Sequence, residues 1–295
     1  MLNEKEGGIK GMLEALLKNS IKIRKPPKSG YQKAALYDFN GTLVSDMKGS
    51  GMELYEKRLR QAFGPLMEIE DEKIIQELGK NGIEIGGNIK KGFNLANPLA
   101  ESIIALIKTP RRGTKAREIY YDFVELAVER EEIGIKPFPD VVAKGNRIDS
   151  DRREGLSIIS LSRGTDSILK KSIEASGTEK IIDKMYSTIP YGGEKTAECY
   201  YKFYHAMLGK GIQITKSYED EWKNIEGMLI CNFALAIKLK LRSLPFKIIW
   251  IAREGKRNGP TDELRAFERE FSRLKEKHKW EGNFSSYFGI KSGLA

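Results

Sequence analysis

The sequence contains little cysteine and little histidine, and this scarcity excludes several kinds of site. Two cysteines, Cys199 and Cys231, and two histidines, His205 and His278, occur in 295 residues. Two cysteines cannot form a disulfide framework or a cysteine-rich zinc site, and two histidines far apart in sequence argue against a histidine-rich metal site. Disulfide-stapled folds and histidine- or cysteine-rich metal centres are therefore excluded.

Long apolar runs are also missing. No stretch of 18 apolar residues occurs, which excludes a membrane-spanning helix. The first 19 residues include acidic side chains and lack the continuous apolar stretch of a signal peptide, so we expect a cytoplasmic protein. With 40% hydrophobic and 31% charged residues, the chain has enough apolar side chains for a core. Its length predicts two units, or one α/β unit with a large insertion.

The net charge of +10 is concentrated at the two ends of the chain. Residues 1–33 carry a net charge of +5 and residues 253–295 a net charge of +3. Basic ends around a near-neutral body are typical of solvated tails, and less often they contact nucleic acid. Because no RNP1 or C2H2 pattern occurs, nucleic acid is not expected as a partner, and both ends are expected to be dispensable for any chemistry.

Short apolar runs alternate with helical periodicity along most of the chain. The runs at 34–37, 156–160, 181–187, 228–232 and 247–252 are predicted to be strands, and helices are predicted from 165 to 177 and over 196–208, 234–242 and 262–279. This alternation predicts an α/β fold with a doubly wound parallel sheet. After the first strand, a block of predicted helices interrupts the pattern, at 52–63, 70–79, 98–107 and 115–131. The expected units are a basic helix and linker over 1–33, a core over 34–46 and 139–252, a helical insertion over 47–138, and a C-terminal helix and tail over 253–295.

The clearest chemical motif is the run YDFNGTL, residues 37–43. An apolar strand ends in Asp38, and a glycine-containing loop follows at once. In an open α/β sheet, ligands bind beyond the carboxyl ends of the strands, and a carboxylate there can attack phosphorus to form an aspartyl-phosphate. The same residues also make a good turn, so the pattern alone leaves open a purely structural role for Asp38.

The longer string ALYDFNGTLV resembles the first motif of the haloacid dehalogenase (HAD) superfamily, an apolar strand followed by D-x-D-x-T. The helical insertion matches the position of that family's C1 cap, as in phosphoglycolate-phosphatase-like members. The resemblance implies that Asp38 is the nucleophile, that Asn40 helps to hold Mg²⁺, and that Thr42 contacts the substrate. It also implies a hydroxyl at the end of the next core strand, at Ser160 or alternatively Ser162, and a lysine at the start of a later helix, at Lys195.

The sequence departs from the family pattern at several positions. Asn40 stands where the family has a second Asp, the general acid and base. The acidic fourth motif is assigned to the predicted strand 228–232, where Asn232 and Ala236 occupy the acid positions, while Asp220 and Glu221 upstream are not expected to reach the site. Mg²⁺, with Asp38, Asn40 and Asn232 as ligands, is therefore expected to bind weakly or not at all.

Two functions follow from these motifs. The first is a HAD-type phosphatase that acts on a small phosphorylated molecule, with Arg111 and Arg112 of the insertion binding the substrate anion, unless they form an ordinary exposed loop. The second is a catalytically degenerate member that binds or regulates without turnover. The sequence indicates neither the substrate nor the oligomeric state.

Overall fold

A computed structural model of the chain describes residues 2–18, 30–45, 136–162, 166–253 and 261–293. The four helices predicted between 52 and 131, and both Arg111 and Arg112, lie outside the described residues. The helices are α1 (Leu2–Lys18), α2 (Pro139–Val142), α3 (Arg147–Arg153), α4 (Asp166–Ser176), α5 (Ala197–Gly209), α6 (Trp222–Lys238), α7 (Thr261–His278) and α8 (Phe284–Tyr287). The strands are β1 (Gln32–Tyr37), β2 (Ser157–Ser162), β3 (Lys184–Ser187), β4 (Ile212–Glu219), β5 (Lys247–Ile251) and β6 (Phe288–Lys291).

The described strands form one parallel sheet in the order β3-β2-β1-β4-β5-β6. From β1 the chain moves outwards through β2 to β3, then returns to the other side of β1 and continues through β4, β5 and β6. Because such crossovers are right-handed, helices that connect strands in opposite directions lie on opposite faces of the sheet. The predicted doubly wound α/β fold is confirmed, and the reversal of direction between β1 and β4 opens a crevice beyond their carboxyl ends.

Most predicted elements around this crevice are confirmed within a few residues. The strands β1, β3 and β5 coincide with apolar runs of the sequence, and β2 extends two residues further than predicted, to Ser162. The helix α7 buries Phe267, Phe271 and Leu274 on one stripe, which recur at helical spacing.

The strand predicted over 228–232 is wrong, because these residues lie in the middle of the helix α6. The helix is buried on nearly all sides, since it packs against α1, α5 and α7 as well as against β4 and β5. A segment that is apolar all round shows no helical period, so its pattern cannot be distinguished from that of a buried strand.

The sequence pattern also failed to predict the strand β4, which lies between β1 and β5 at the centre of the sheet. Its sequence, IQITKSYE, mixes apolar and polar residues, and only Ile214 and the last three residues are fully buried. The local signal for a strand is limited to the alternation of Ile212 and Ile214 with Gln213 and Thr215, three of which are β-branched, and Lys216 ends this alternation.

The basic ends are packed into the core, so the expectation of solvated tails is wrong for the described residues. The helix α1 packs against α6, α7 and α5, and it buries Ile9, Leu13 and Leu16. At the other end, β6 extends the sheet beside β5. Within the described part of the chain, no helix is both long enough and apolar enough to cross a membrane.

Candidate functional site

Asp38 lies in the crevice at the centre of the sheet, directly after β1. Its backbone N–H donates to the carbonyl of Tyr218 at 2.9 Å, which extends the pairing of β1 with β4 and fixes where the side chain emerges. The residue is only 7% exposed. The Oδ1 atom accepts a hydrogen bond from the N–H of Phe39 at 2.7 Å and a further one from the ammonium of Lys195. An acid that ends a buried strand is therefore desolvated and held in one orientation.

Two further acids lie at the carboxyl end of β4: Glu219 is the last residue of the strand, and Asp220 follows it. Because β1 and β4 are neighbours and parallel, their carboxyl ends meet, and the acids lie beside Asp38 although about 180 residues separate them in sequence. One carboxylate oxygen from each of Asp38, Glu219 and Asp220 lies within 4.8 Å of the others. All three residues are buried. We call these three residues the acidic cluster.

Lys195 inserts its ammonium into the acidic cluster. Besides its bond to Asp38, Nζ donates to Oε2 of Glu219 at 3.1 Å, and its side chain is 4% exposed. As the sequence predicted, Lys195 lies just before a helix: Thr196 caps α5 by accepting from the N–H of Cys199 at 3.2 Å. The helix α6 supports this segment closely, because a Cβ at Gly227 would lie 3.2 Å from the carbonyl oxygen of Lys195.

The charges of the cluster shift the pKa values of its members. Burial, and next the carboxylate of Glu219, raise the pKa of Asp38 well above its usual range, although Lys195 opposes the shift. Burial alone would lower the pKa of Lys195, but Asp38 and Glu219 outweigh it and keep the ammonium protonated. Burial would raise the pKa of Glu219, but Lys195 and several hydrogen bonds lower it. Three carboxylates and one ammonium leave a net charge of −2 when all are ionised.

The loop after Asp38 packs directly against Asp220. Gly41 has a φ of +77°, and a Cβ there would lie 2.6 Å from the carboxyl carbon of Asp220, so only glycine fits. The hydroxyl of Thr42 donates to Oδ1 of Asp220 at 3.2 Å, and Thr42 has no exposed surface. The Thr42 hydroxyl is thus hydrogen-bonded to an acid of the cluster, whereas the sequence predicted a substrate contact.

The predicted hydroxyl at Ser160 lies within β2 and not at the carboxyl end of the strand. Ser160 pairs with Tyr37 in the register of β2 and β1, and its Oγ donates to the Tyr37 carbonyl at 2.7 Å. The strand continues to Ser162, the alternative residue, whose carbonyl accepts from the N–H of Thr188 at 3.0 Å. Ser162 is therefore the serine at the carboxyl end of β2.

Asn232 is not brought to the acidic cluster. It lies inside α6 with no exposed surface, and its side-chain amide donates to the Phe246 carbonyl at 2.8 Å and accepts from the Phe246 N–H at 3.4 Å. The assignment of Asn232 and Ala236 to the fourth motif depended on the wrong strand prediction. The expectation that Asp220 does not reach the site is wrong, because Glu219 and Asp220 lie at the carboxyl end of β4 and beside Asp38.

The acidic cluster fits a divalent cation by its donor chemistry. Mg²⁺ prefers hard oxygen ligands, and carboxylate oxygens from three residues meet here at the mouth of the sheet. With all three carboxylates and the Lys195 ammonium ionised, the site carries a net charge of −2, which a divalent ion would offset. Asn40 lies between Asp38 and Gly41 in the same loop, with its side chain partly buried.

Several solved structures are similar to this chain at low sequence identity. They include CbbY from Rhodobacter sphaeroides in complex with phosphate, at 15% identity and a TM-score of 0.39, covering 75% of this chain and 85% of that chain. YfnB from Bacillus subtilis, described as a HAD-hydrolase bound to magnesium, is 13% identical with a TM-score of 0.39, over 84% of this chain and 100% of that chain. SP0104 from Streptococcus pneumoniae, described as a haloacid dehalogenase-like family hydrolase, is 12% identical with a TM-score of 0.39. The match covers 90% of this chain and 96% of that chain.

No protein-family model and no curated protein sequence matches the chain. Identities of 15% or less do not transfer an activity or a site residue to this chain. A function for this chain is therefore argued from the acidic cluster itself.

Proposed function

We propose that the protein is a HAD-type hydrolase that removes a phosphoryl group from a small phosphorylated molecule through an aspartyl-phosphate at Asp38. One observation carries this proposal: a buried carboxylate at the end of the central strand is bonded to the Lys195 ammonium, beside two further acids from the neighbouring strand. This arrangement combines a nucleophile, a fixed cation that offsets the negative charge of the transferred phosphoryl group, and oxygen ligands for a metal.

In this mechanism a carboxylate oxygen of Asp38 attacks phosphorus while the bond from phosphorus to the leaving oxygen breaks. Lys195 stabilises the phosphoryl oxygens, and Glu219 holds Lys195 in place. Asp38, Asp220 and the main chain of Asn40 would hold Mg²⁺, which supplies further charge neutralisation at the phosphoryl group when bound. Ser162, at the carboxyl end of β2, is the hydroxyl we assign to a phosphoryl oxygen in place of Ser160. Water then cleaves the acyl phosphate, which releases phosphate and restores Asp38.

The metal requirement provides the test of this function. Turnover of acetyl phosphate, p-nitrophenyl phosphate and glucose 6-phosphate should be measured with Mg²⁺ and with a chelator. We expect Asp220→Asn to raise the Mg²⁺ concentration for half-maximal activity by at least about 10-fold, because one carboxylate ligand is lost. Mg²⁺ should also raise the unfolding temperature of the parent protein, and less so that of the variant, since binding to the folded state alone stabilises it.

Asp183→Asn is the matched control, because Asp183 precedes β3 at the opposite end of the strands. Its carboxylate is exposed and accepts from the N–H of Ile158. The control should leave both Mg²⁺ responses unchanged. Equal Mg²⁺ dependence of the parent and Asp220→Asn would contradict the metal site.

Asn40 should restrict which phosphates are cleaved. An amide cannot donate a proton to the leaving oxygen, and general acid catalysis contributes typically about 10²–10⁴-fold. Acyl and aryl phosphates have leaving groups that are stable as anions, whereas alkyl phosphates such as sugar phosphates need the proton. We therefore expect Asn40→Asp to raise kcat/KM, which reports the phosphoryl-transfer step, by about 10²-fold or more for glucose 6-phosphate and to change it little for acetyl phosphate.

The measurement for Asn40→Asp is the ratio of the two kcat/KM values in parent and variant at saturating Mg²⁺. Asn232 should be left intact in this test, because its side-chain amide is bonded to the backbone of Phe246. A carboxylate there would be buried against the Phe246 carbonyl, to which it cannot donate. An unchanged ratio would show that Asn40 does not limit the leaving group.

The alternative is a binding or regulatory protein without turnover. Three departures from the family pattern favour it, at Asn40, Asn232 and Ala236, whereas the carboxylates of Glu219 and Asp220 beside Asp38 support an active site. It would be favoured if Mg²⁺ stabilised the parent protein against heat while every phosphate in the panel stayed intact.

A further inference from the structure

The guanidinium of Arg253 is bonded to the loop that follows the nucleophile. Arg253 lies two residues beyond the end of β5. Its Nε donates to the carbonyl of Gly41 at 3.3 Å, and Nη2 donates to the carbonyl of Thr42 at 2.6 Å. These are the two residues of the loop that pack against Asp220. Arg253 thus bonds the carbonyl oxygens of the same two residues that contact Asp220.

The same guanidinium is fixed on its other edge. Its Nη1 donates to both carboxylate oxygens of Asp140 at 2.7 Å, and the group lies 3.8 Å from the ring centre of Phe138. The side chains of Arg253 and Asp140 are 15% and 18% exposed, so the ion pair is largely shielded from water.

Phe138 and Asp140 belong to a segment that is itself bonded to the nucleophile loop. The N–H of Phe138 donates to the Leu43 carbonyl at 3.1 Å, and the N–H of Ser45 donates to the Lys136 carbonyl at 2.9 Å. Arg253 therefore joins three pieces of chain that are remote in sequence: residues 41–42, residues 138–140 and the end of β5.

We propose that Arg253 is a positioning residue that holds Gly41 and Thr42 against Asp220 and thereby sets the geometry of the acidic cluster. It touches the backbone of the loop and not the reacting atoms, so its effect passes through Asp220 and the metal ligands. The proposal rests on the proposed function for its kinetic consequences, and its structural part stands without them. Lysine should replace it poorly, because one ammonium cannot span two successive carbonyls and a carboxylate as the planar guanidinium does.

The chain offers a matched control in Arg152. Its Nη2 also donates to two successive carbonyls, those of Lys180 and Ile181, and to the carboxylate of Asp183. These contacts lie before β3, at the amino end of the strands. Arg152→Ala therefore removes a similar set of bonds away from the acidic cluster.

The experiment compares Arg253→Ala, Arg253→Lys and Arg152→Ala with the parent protein. With p-nitrophenyl phosphate as the probe, we expect Arg253→Ala to lower kcat/KM and to raise the Mg²⁺ concentration for half-maximal activity, each by about 10- to 100-fold. Arg253→Lys should recover only part of this loss, and Arg152→Ala should show neither change. A residue that merely stabilises the fold would not change the Mg²⁺ dependence.

Amide hydrogen exchange gives a second readout that does not need activity. The amides of Gly41, Leu43 and Val44 are bonded within the loop, to Val44 and Phe39 carbonyls. Their exchange should be at least about 10-fold faster in Arg253→Ala and unchanged in Arg152→Ala, because only the first variant frees the loop. If the parent cleaves no phosphate, the proposed function fails and exchange alone decides the role of Arg253. If Arg253→Ala showed the same amide exchange and the same Mg²⁺ dependence as Arg152→Ala, the proposed role of Arg253 would be wrong.

Discussion

Replacing Asp38 with asparagine should abolish phosphate turnover and leave the fold intact. An amide nitrogen or oxygen cannot form the acyl phosphate, so we expect kcat to fall by about 10⁴-fold or more. The variant changes one nearly isosteric group. Its side-chain oxygen can still accept from the N–H of Phe39, and Lys195 keeps its bond to Glu219. The measurement is turnover of acetyl phosphate and p-nitrophenyl phosphate at saturating Mg²⁺, with circular dichroism to verify folding.

A covalent readout makes the Asp38 prediction sharper. Acid quenching of the parent protein with radiolabelled phosphate ester should leave label on the protein, and hydroxylamine should release it, as it does from acyl phosphates generally. The Asp38→Asn protein should carry no label, whereas the exposed control Asp183→Asn should behave as the parent does. Undiminished turnover in Asp38→Asn would contradict the aspartyl-phosphate mechanism.

Replacing Lys195 with methionine should remove activity and also destabilise the protein. The ammonium is paired with both Asp38 and Glu219, and removing one such electrostatic group typically lowers kcat by about 10²–10³-fold. Because the carboxylates are then buried without their cation, the free energy of unfolding should fall by about 3–5 kcal/mol. Kinetics and urea unfolding of the same preparations measure the two effects.

Lys216→Met is the control that separates the two effects. Lys216 also bonds two acids, Asp151 at 2.8 Å and Glu154 at 2.6 Å, and Asp151 has no exposed surface. Its removal should destabilise the fold and leave kcat unchanged. If Lys216→Met lost activity to the same degree as Lys195→Met, the loss would reflect general instability and not the chemistry at the acidic cluster.

The stability of Lys195→Met should fall with rising pH more steeply than that of the parent, in which the raised pKa of Asp38 and the lowered pKa of Glu219 contribute with opposite signs. In the parent, the pKa of Glu219 is lowered, so its stabilising contribution is present above the unfolded pKa and is lost as pH falls through the folded pKa. Without Lys195, the pKa values of the buried carboxyls should rise, and the folded state then favours their protonated forms. The variant should therefore lose stability as pH rises from 5 to 8, and its deficit against the parent should be largest at pH 8.

The parts of the site that the sequence predicted are those that local pattern determines. Asp38 was found because a run of apolar residues stops at a charged one and a glycine turn follows, and both features need only neighbouring residues. Lys195 was indicated by the resemblance to the HAD superfamily, and its place before a predicted helix needs only neighbouring residues. Alternation of strands and helices was sufficient to predict the parallel sheet.

What the sequence did not determine is which residues meet. Glu219 and Asp220 reach Asp38 because β4 pairs with β1, and β4 has too mixed a pattern to be recognised as a central strand. The apolar run around Asn232 became a helix because neighbours cover it on every side, a condition that no short window of sequence contains. Strand order and all-round burial are set by the packing of the whole chain, and for that reason only the tertiary structure decided where the second and third acids of the site lie.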